Sequence, residues 1–200
     1  MDQIQKAIKI LKGGGVVVYP TDTSYGLAVD ATNSSAVEKL YRLKGRNFNK
    51  PIHVIVPDAK WMSRIVKLNT AALRLMNKFL PGPLTLVLPL RAKGKSWQKL
   101  SARTRTLGIR LPNNKLALEL VSTLGKAITT TSANLAGLDN TYSVPEIKKQ
   151  FAQSALKPDF YLDGGKLPKK QPSTVVSLVK NVKILRQGSI KEIQIKRVLK

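Results

Sequence analysis

Short apolar runs alternate along the chain with segments whose apolar residues fall at helical spacing. Of all the features of the sequence, this alternation restricts the possible folds most strongly. Ile4, Ala7, Ile8 and Leu11 have the spacing of one helix face, and residues 16–19 then form a continuous apolar run typical of a buried strand. The same change of pattern recurs towards the C-terminus. Helices that alternate with strands build α/β domains, so we expect an α/β fold.

Start and stop signals separate the expected elements. Gly13-Gly14-Gly15 ends the first helix; because it precedes a strand and no Lys-Ser or Lys-Thr pair follows, it is not a phosphate-binding loop. Ser35 with Glu38, Ser143 with Glu146 and Ser189 with Glu192 are predicted capping pairs. The patterns predict further helices over 35–44, 58–67, 70–79 and 112–124 and from 143 and 189, strands over 16–19, 52–56, 84–88, 107–111, 127–131, 160–162, 174–178 and 182–185, and a loop for the basic stretch from 91.

Length and composition indicate one globular domain over residues 1–200. The chain is 42% hydrophobic and 23% charged, which suits a packed core rather than a disordered chain. It has no cysteine, which excludes disulfides, thiolate catalysis and cysteine-based metal sites. No basic stretch followed by an apolar run begins the chain, and no apolar run approaches membrane-spanning length. We therefore expect a cytoplasmic protein with no membrane partner.

The charge is strongly positive. Lys and Arg number 35 and Asp and Glu number 11, which gives a formal net charge of +24. Residues 91–110 carry seven basic side chains and no acid, and residues 166–200 carry ten with Glu192 as the one acid. A solvated lysine-rich surface is the plain interpretation of any single lysine. For the surface as a whole, contact with a nucleic acid is the better interpretation.

Two polar segments are the candidate functional site. Lys44-Gly45-Arg46 places two cations at the end of a predicted helix, and residues 130–134 place hydroxyls and an amide at the end of a predicted strand. Side chains alternate along a strand, so positions 130, 132 and 134 should point the same way. Together the segments are suited to holding a polyanion without a metal cluster. His53, the single histidine, is more typical of a structural role.

An ordered set of motifs resembles the YrdC-like family of threonylcarbamoyl-AMP synthases. The resemblance spans roughly residues 10–188, and the ordered set is specific although each motif alone is weak. The motifs are YPTDTSYGL at 19–27, LKGR at 43–46, KP at 50–51, PGPLT at 81–85, GIRLP at 108–112, TSAN at 131–134, PSTVV at 172–176 and ILRQG at 184–188.

The resemblance implies both a fold and a reaction. The fold is a single domain with a twisted, open, mixed sheet flanked by helices around a concave basic cleft. The reaction combines L-threonine, bicarbonate and ATP into threonylcarbamoyladenylate and pyrophosphate. The product serves the modification of the tRNA adenosine next to the anticodon, so proteins that act later in tRNA modification are expected partners and tRNA itself an expected contact of the basic surface.

The resemblance also implies roles for individual residues. Lys44 and Arg46 would be catalytic. The expected ATP-binding residues are Arg46, Lys50, Ser132, Asn134, Asn140 and Arg186, and the expected threonine-binding residues are Thr23, Arg110, Thr130 and Ser173. Arg110 would meet the threonine carboxylate as a bidentate fork. Mg²⁺ would arrive with ATP, because no carboxylate cluster suggests a preformed metal site.

Alternative interpretations stay open at this point. Thr21, Thr23 and Tyr25 could share a strand face as a buried polar seam, and Lys44 and Arg46 could serve only to end a helix. A non-catalytic RNA-binding module of the same fold would also carry a high positive charge. Another nucleotidyltransferase or a hydrolase is a second rival. A pure binding module needs no polar pocket beside the paired cations, which favours the synthase.

Overall fold

A nine-stranded mixed sheet forms the centre of the computed structural model, which describes residues 2–200. The order across the sheet is β7-β1-β2-β6-β3-β5-β4-β8-β9, with three parallel pairs, β1 with β7, β3 with β5 and β4 with β8. The strands are β1 (Val17–Pro20), β2 (Tyr25–Ala28), β3 (His53–Ile55), β4 (Leu84–Pro89), β5 (Thr106–Arg110), β6 (Ile128–Ser132), β7 (Phe160–Tyr161), β8 (Thr174–Ser177) and β9 (Lys183–Arg186).

Eight helices in residues 2–200 cover the sheet on both faces. They are α1 (Gln3–Lys12), α2 (Ser34–Lys44), α3 (Ala59–Ile65), α4 (Thr70–Phe79), α5 (Lys95–Leu100), α6 (Lys115–Leu124), α7 (Val144–Phe151) and α8 (Glu192–Leu199). Alternate residues of β1 enter two separate hydrophobic clusters, Val18 on one face and Val17 on the other. Only α1 and α6 contribute to the cluster around Val17, so that face of the sheet is the less covered one.

The α/β class and the mixed, open sheet are confirmed, with changes in detail. The predicted basic loop contains the short helix α5, which the buried side chains of Trp97 and Leu100 hold in place. The many charged residues around these two leave no apolar periodicity in the sequence. The segment at Thr21 and Thr23 is a turn, not part of a strand face: the Thr21 hydroxyl accepts from the Thr23 and Ser24 amides and donates to the Ser24 carbonyl. Strand β2 begins only after this turn.

One of the three predicted capping pairs is confirmed, because Ser143 caps α7 and its Oγ accepts from the Glu146 amide, whereas the other two differ. Asn33, not Ser35, caps α2, because its Oδ1 accepts from the amides of residues 35 and 36. Ser189 lies outside α8, where its hydroxyl donates to the Gln171 carbonyl. At the other end of α2, Gly45 takes a left-handed conformation with φ of 61° that turns the chain towards the sheet. None of the helices in residues 2–200 has the length and apolar character to cross a membrane.

Candidate functional site

A cavity of about 180 Å³ opens on the less covered face of the sheet. Ile55 and Ile128 pack in the cluster beneath α1 and α6, whereas His53 and Thr130, each two positions away on the same strand, line the cavity. His53 and Thr130 are themselves paired between β3 and β6. The cavity therefore begins where the apolar cover of this face ends, and the alternation of the strands delivers polar side chains to it.

Three arginines line this cavity. Arg46 follows α2, Arg110 ends β5 and Arg186 ends β9. Burial lowers the pKa of both Arg46 and Arg186, and the neighbouring Arg110 lowers that of Arg186 further. Arginine nonetheless stays protonated at neutral pH. Their convergence makes the cavity a site for an anion.

The protein's own oxygens orient these guanidinium groups. Arg46 Nη2 donates to the Pro51 carbonyl over 2.9 Å, and Arg186 Nη2 donates to the Ser173 carbonyl over 2.9 Å and to Ser173 Oγ over 3.0 Å. Ser173 Oγ also lies 2.9 Å from Thr85 Oγ1. The positions of both arginines are thus set before any ligand enters.

Arg110 forms a buried ion pair beside the cavity. Its Nη2 lies 2.5 Å from Asp22 Oδ1, and the two side chains are only 6% and 8% exposed. The other Asp22 oxygen, Oδ2, and Arg110 Nε have no hydrogen-bond partner among the described residues. A buried charge without its full set of hydrogen-bond partners is costly, so this ion pair is held by the surrounding fold at a cost in folding free energy.

Lys44 lies next to the cavity but not on its wall. It is 3% exposed, and its Nζ donates to the Ser132 carbonyl over 2.6 Å, to the Asn134 carbonyl over 2.8 Å and to Asn134 Oδ1 over 2.6 Å. Burial lowers the pKa of Lys44 to about 7, and the charge of Arg46 adds to this effect. The amine thereby ties the end of α2 to the end of β6 and fixes the turn that contains Ser132.

His53 is a neutral side chain among these cations. Burial lowers its pKa to about 4, and Arg186, Arg110 and Arg46 repel its protonated form. The ring has room because its neighbour across the β3–β5 ladder is Gly108: a Cβ there would lie 2.3 Å from His53 Cδ2. The sequence alone favours a structural role for His53, yet the imidazole lines the cavity.

The structure brings most of the predicted site residues together. The cavity is lined by eight of them: Thr23, Arg46, Arg110, Thr130, Ser132, Asn140, Ser173 and Arg186. Lys44, Lys50 and Asn134 do not line it. Asn134 does not share the strand face of Thr130, because β6 ends at Ser132 and the Asn134 side chain turns back to Lys44. The ligand that each of these residues binds stays a prediction.

Sequence reasoning missed several lining or supporting groups. Asp22 supports Arg110, and the hydroxyls of Ser24 and Thr85 line the cavity. Asp22 and Ser24 lie inside the YPTDTSYGL motif, so a search for a counter-charge to Arg110 could have found Asp22. Among residues 2–200, no three His, Asp or Glu side chains come close enough together to hold a metal ion.

The fold and this site define the chain as an α/β protein with a polar cavity lined by three arginines, and comparison with known proteins identifies its family. The family model described as "Telomere recombination", which covers Sua5, YciO and YrdC proteins, matches residues 9–188. The chain belongs to this Sua5/YciO/YrdC family.

Individual relatives agree with this assignment. The putative threonylcarbamoyl-AMP synthase of Methanocaldococcus jannaschii is 34% identical over 194 residues, which are 94% of this chain and 89% of the relative. The structure of P. abyssi Sua5 complexed with L-threonine superposes with a TM-score of 0.91 at 28% identity; it covers 98% of this chain, which spans 57% of that protein. The structure of E. coli YciO gives a TM-score of 0.82 at 30% identity, covering 94% and 90% of the two chains.

Proposed function

We propose that this chain is a threonylcarbamoyl-AMP synthase, which converts L-threonine, bicarbonate and ATP into threonylcarbamoyladenylate, pyrophosphate and water. The observation that carries the proposal is the convergence of Arg46, Arg110 and Arg186 on one hydroxyl-lined cavity. Two comparisons support it. The M. jannaschii relative is named a putative threonylcarbamoyl-AMP synthase, and the P. abyssi protein binds L-threonine in its structure.

The cavity is the amino-acid end of the site. Its volume of about 180 Å³ is below the range of roughly 300–1,000 Å³ that drug-sized ligands occupy, so it suits a molecule as small as threonine. Arg110 binds the threonine carboxylate through the part of its guanidinium group that Asp22 leaves free. Thr23, Thr130 and Ser173 offer hydroxyls for the remaining polar atoms.

The nucleotide lies at the mouth of the cavity, towards α2 and β9. Arg46 and Arg186 neutralise its phosphates, and Ser132 and Asn140 hydrogen-bond to it. Lys50, which is exposed, reaches the outer phosphates, and Asn134 supports Ser132 through their 2.6 Å hydrogen bond. Mg²⁺ enters with ATP as part of the substrate.

The reaction needs positioned charge rather than a protein nucleophile. The threonine nitrogen bonds to the carbon of bicarbonate, and one C–O bond of the bicarbonate is lost as water, which gives N-carboxythreonine. A carboxylate oxygen of N-carboxythreonine then attacks the α-phosphorus of ATP, and the bond from that phosphorus to the leaving pyrophosphate breaks. Negative charge builds up on the pyrophosphate, where Arg46 and Arg186 stabilise it. Lys44 is a positioning residue, because its Nζ contacts the carbonyls of Ser132 and Asn134. The low pKa of His53 keeps that imidazole neutral, so it adds no further positive charge.

The partners follow from the product. The adenylate serves proteins that transfer the threonylcarbamoyl group to the adenosine beside the anticodon of tRNA. The surplus positive surface contacts that tRNA and speeds the encounter, since most of the lysines and arginines do not line the cavity.

Pyrophosphate release from the purified protein tests the proposal. The protein is incubated with ATP, Mg²⁺, bicarbonate and one amino acid at a time, and release is expected with threonine and only when bicarbonate is present. Arg46→Ala should lower the rate by about a hundredfold, the usual loss for one electrostatic stabiliser. Arg42→Ala is the matched control: Arg42 is an exposed arginine of α2 that pairs with Glu38, and its loss should leave the rate unchanged.

Each rival predicts a different result. Release without an amino acid would indicate a hydrolase, and release with another amino acid would indicate a different nucleotidyltransferase. Absence of any release, together with RNA binding that neither ATP nor threonine affects, would indicate a non-catalytic RNA-binding module.

A further inference from the structure

A second concave surface lies on the basic segment around α5, outside the arginine-lined cavity. Two neighbouring depressions of about 660 and 500 Å³, which have Gln98 and Arg103 as common lining residues, are together called the α5 groove. Its lining residues are Phe48, Asn49, Leu90, Arg91, Ala92, Lys93, Gly94, Lys95, Gln98, Lys99, Ser101, Ala102, Arg103 and Arg105.

The α5 groove carries positive charge and no acid on its walls. Lys93, Lys95, Arg103 and Arg105 are exposed and form no ion pair with the described residues. Lys99 is different, because its Nζ lies 2.8 Å from Glu38 Oε2. Arg91 is likewise exposed and has no ion-pair partner in residues 2–200, so five cations face solvent in a concave surface, and concave walls strengthen the field of like charges.

The backbone of this segment is held in an uncommon shape that presents the two arginines. Ala102, Arg103 and Arg105 have φ of 47°, 61° and 59°, in the left-handed region that residues other than glycine rarely adopt. Backbone hydrogen bonds hold the turn, among them from the Arg103 amide to the Gln98 carbonyl over 3.0 Å. Both arginine side chains line the larger depression as a result.

An exposed aromatic ring lies at the other end of the groove. Phe48 is 44% exposed and lines the smaller depression with Lys95 and Arg103. One side of its ring stacks on Tyr41, with ring centroids 4.7 Å apart and planes inclined by 20°. Tyr41 is itself fixed, because its hydroxyl donates to the carbonyls of residues 50 and 99. The Phe48 ring is therefore a rigid platform beside a row of cations.

We propose that the α5 groove binds a single-stranded segment of RNA, with phosphates on Arg103, Arg105 and the neighbouring lysines and one base stacked on Phe48. A cationic groove that follows the backbone and an aromatic ring that stacks with a base are the two elements of single-strand recognition. An acidic peptide would use the cations but not the ring. The choice of RNA as the partner rests on the tRNA contact proposed above. The groove itself does not depend on the synthesis of the adenylate.

The groove is placed to bring RNA close to the cavity. The loop after α2 has Arg46 and Pro51 on the cavity and Phe48 and Asn49 on the groove. A bound strand would therefore lie along the outer side of the loop whose inner side carries Arg46. RNA could occupy the groove without entering the cavity.

Fluorescence anisotropy with a fluorescein-labelled, unstructured 12-nucleotide RNA tests the proposal at several NaCl concentrations. Phe48→Leu keeps an apolar side chain on Tyr41 and should weaken binding about tenfold with an unchanged salt dependence, since stacking carries no charge. The double variant Arg103→Asn, Arg105→Asn should weaken binding and lower the slope of log affinity against log salt by about 1.4, or roughly 0.7 for each phosphate that is no longer neutralised. Asparagine is used because it tolerates the left-handed backbone.

A double variant on α1, Lys6→Gln with Lys9→Gln, is the matched control because it removes the same charge from an exposed helix that does not line the groove. It should bind RNA almost as the wild type does. Equal affinities of groove and control variants would overturn the proposal while the general RNA contact stood. A second outcome would also overturn the proposal. If polyglutamate displaces the RNA equally well from the wild type and from Phe48→Leu, and Phe48→Leu binds the RNA as the wild type does, the groove is a nonspecific surface for anions.

Two further results separate this proposal from the enzymatic one. Wild-type protein that binds no RNA at low salt would remove both the groove and the tRNA contact. Pyrophosphate release by the groove variants should equal that of the wild type, because none of the changed residues lines the cavity. Loss of RNA affinity with normal synthesis is thus the result expected of the groove.

Discussion

Individual side chains in this site owe their positions to partners distant in the sequence. Lys44 reaches the end of β6, 88 residues away at Ser132, and Arg110 meets Asp22, also 88 residues away. The sequence predicted Arg46, Arg110, Ser132 and Arg186 for the site because each lies in a local motif, and these four residues line the cavity. The ion pair to Asp22 and the fully occupied Nζ of Lys44 depend on the packing of α2 and β5 against other strands, which no local pattern contains.

The Lys44 ammonium gives the first prediction. With a pKa of about 7, this group is charged below neutrality and loses its proton above it. Deprotonation weakens its bonds to the carbonyls of Ser132 and Asn134, so the synthesis rate should fall as pH rises through 7. Lys44→Met should lower the rate at pH 6 by about a hundredfold, the loss expected when the groups it positions shift by about 1 Å, and it should remove this pH dependence. Steady-state pyrophosphate release from pH 5.5 to 9 measures both effects; an unchanged profile in the variant would show that another group is responsible.

The second prediction concerns Arg110. Its guanidinium group can bind Asp22 and a substrate carboxylate at once, whereas a lysine presents a single point of charge. Arg110→Lys should therefore raise the KM for threonine about tenfold or more, as expected when a hydrogen bond to a charged group is lost, with little change in the KM for ATP. Titrating each substrate at saturation of the other gives the two values. Equal increases would contradict the assignment of Arg110 to the amino acid.

The sequence predicted which helices and strands exist better than it predicted where each of them begins and ends. Apolar periodicity predicted α4 with its observed bounds. The helix has a strong apolar face, and it begins directly after Asn69, whose side chain caps it. Helix α5 was missed because Trp97 and Leu100 are too few to show a period between so many cations. The separate strand β2 was missed because the turn at Thr21 is closed by side-chain hydrogen bonds, which spacing does not reveal.

The contact of β3 with β5 gives a prediction on the scale of elements. Gly108 faces His53 across the ladder, and a Cβ there would lie 2.3 Å from Cδ2 and 2.7 Å from Cγ of the imidazole. Gly108→Ala should therefore lower the free energy of unfolding by about 1–3 kcal/mol, the usual cost of overpacking. In a His53→Ala background the same change should cost far less, because the clashing ring is gone.

Urea unfolding of the four proteins completes this double-mutant cycle. A Gly108→Ala cost that is the same in both backgrounds would mean that the imidazole does not fill the space above Gly108. Pyrophosphate release by His53→Ala then shows separately whether the ring contributes to the site or only occupies it.

At the scale of the whole molecule, the sequence indicated the charge but not its arrangement. Of the 35 lysines and arginines, six form ion pairs among the described residues, and one of these pairs, Arg110 with Asp22, is buried at the cavity. The other cations therefore repel one another over the surface. The net positive charge favours partners that carry many negative charges. The repulsion between the cations opposes the compact state of the protein.

The last prediction follows from this repulsion. Added salt screens the repulsion between surface cations, which lie farther apart than ion-paired atoms, and shortens the Debye length from about 10 Å at 0.1 M to about 3 Å at 1 M. We expect the Tm to rise as NaCl is increased from 0.05 to about 0.5 M, by roughly 2–4 °C for each kcal/mol of repulsion removed. Differential scanning calorimetry measures this shift, and sucrose at equal osmolality controls for solvent exclusion. A Tm that falls with NaCl would mean that the six ion pairs outweigh the repulsion of the remaining cations.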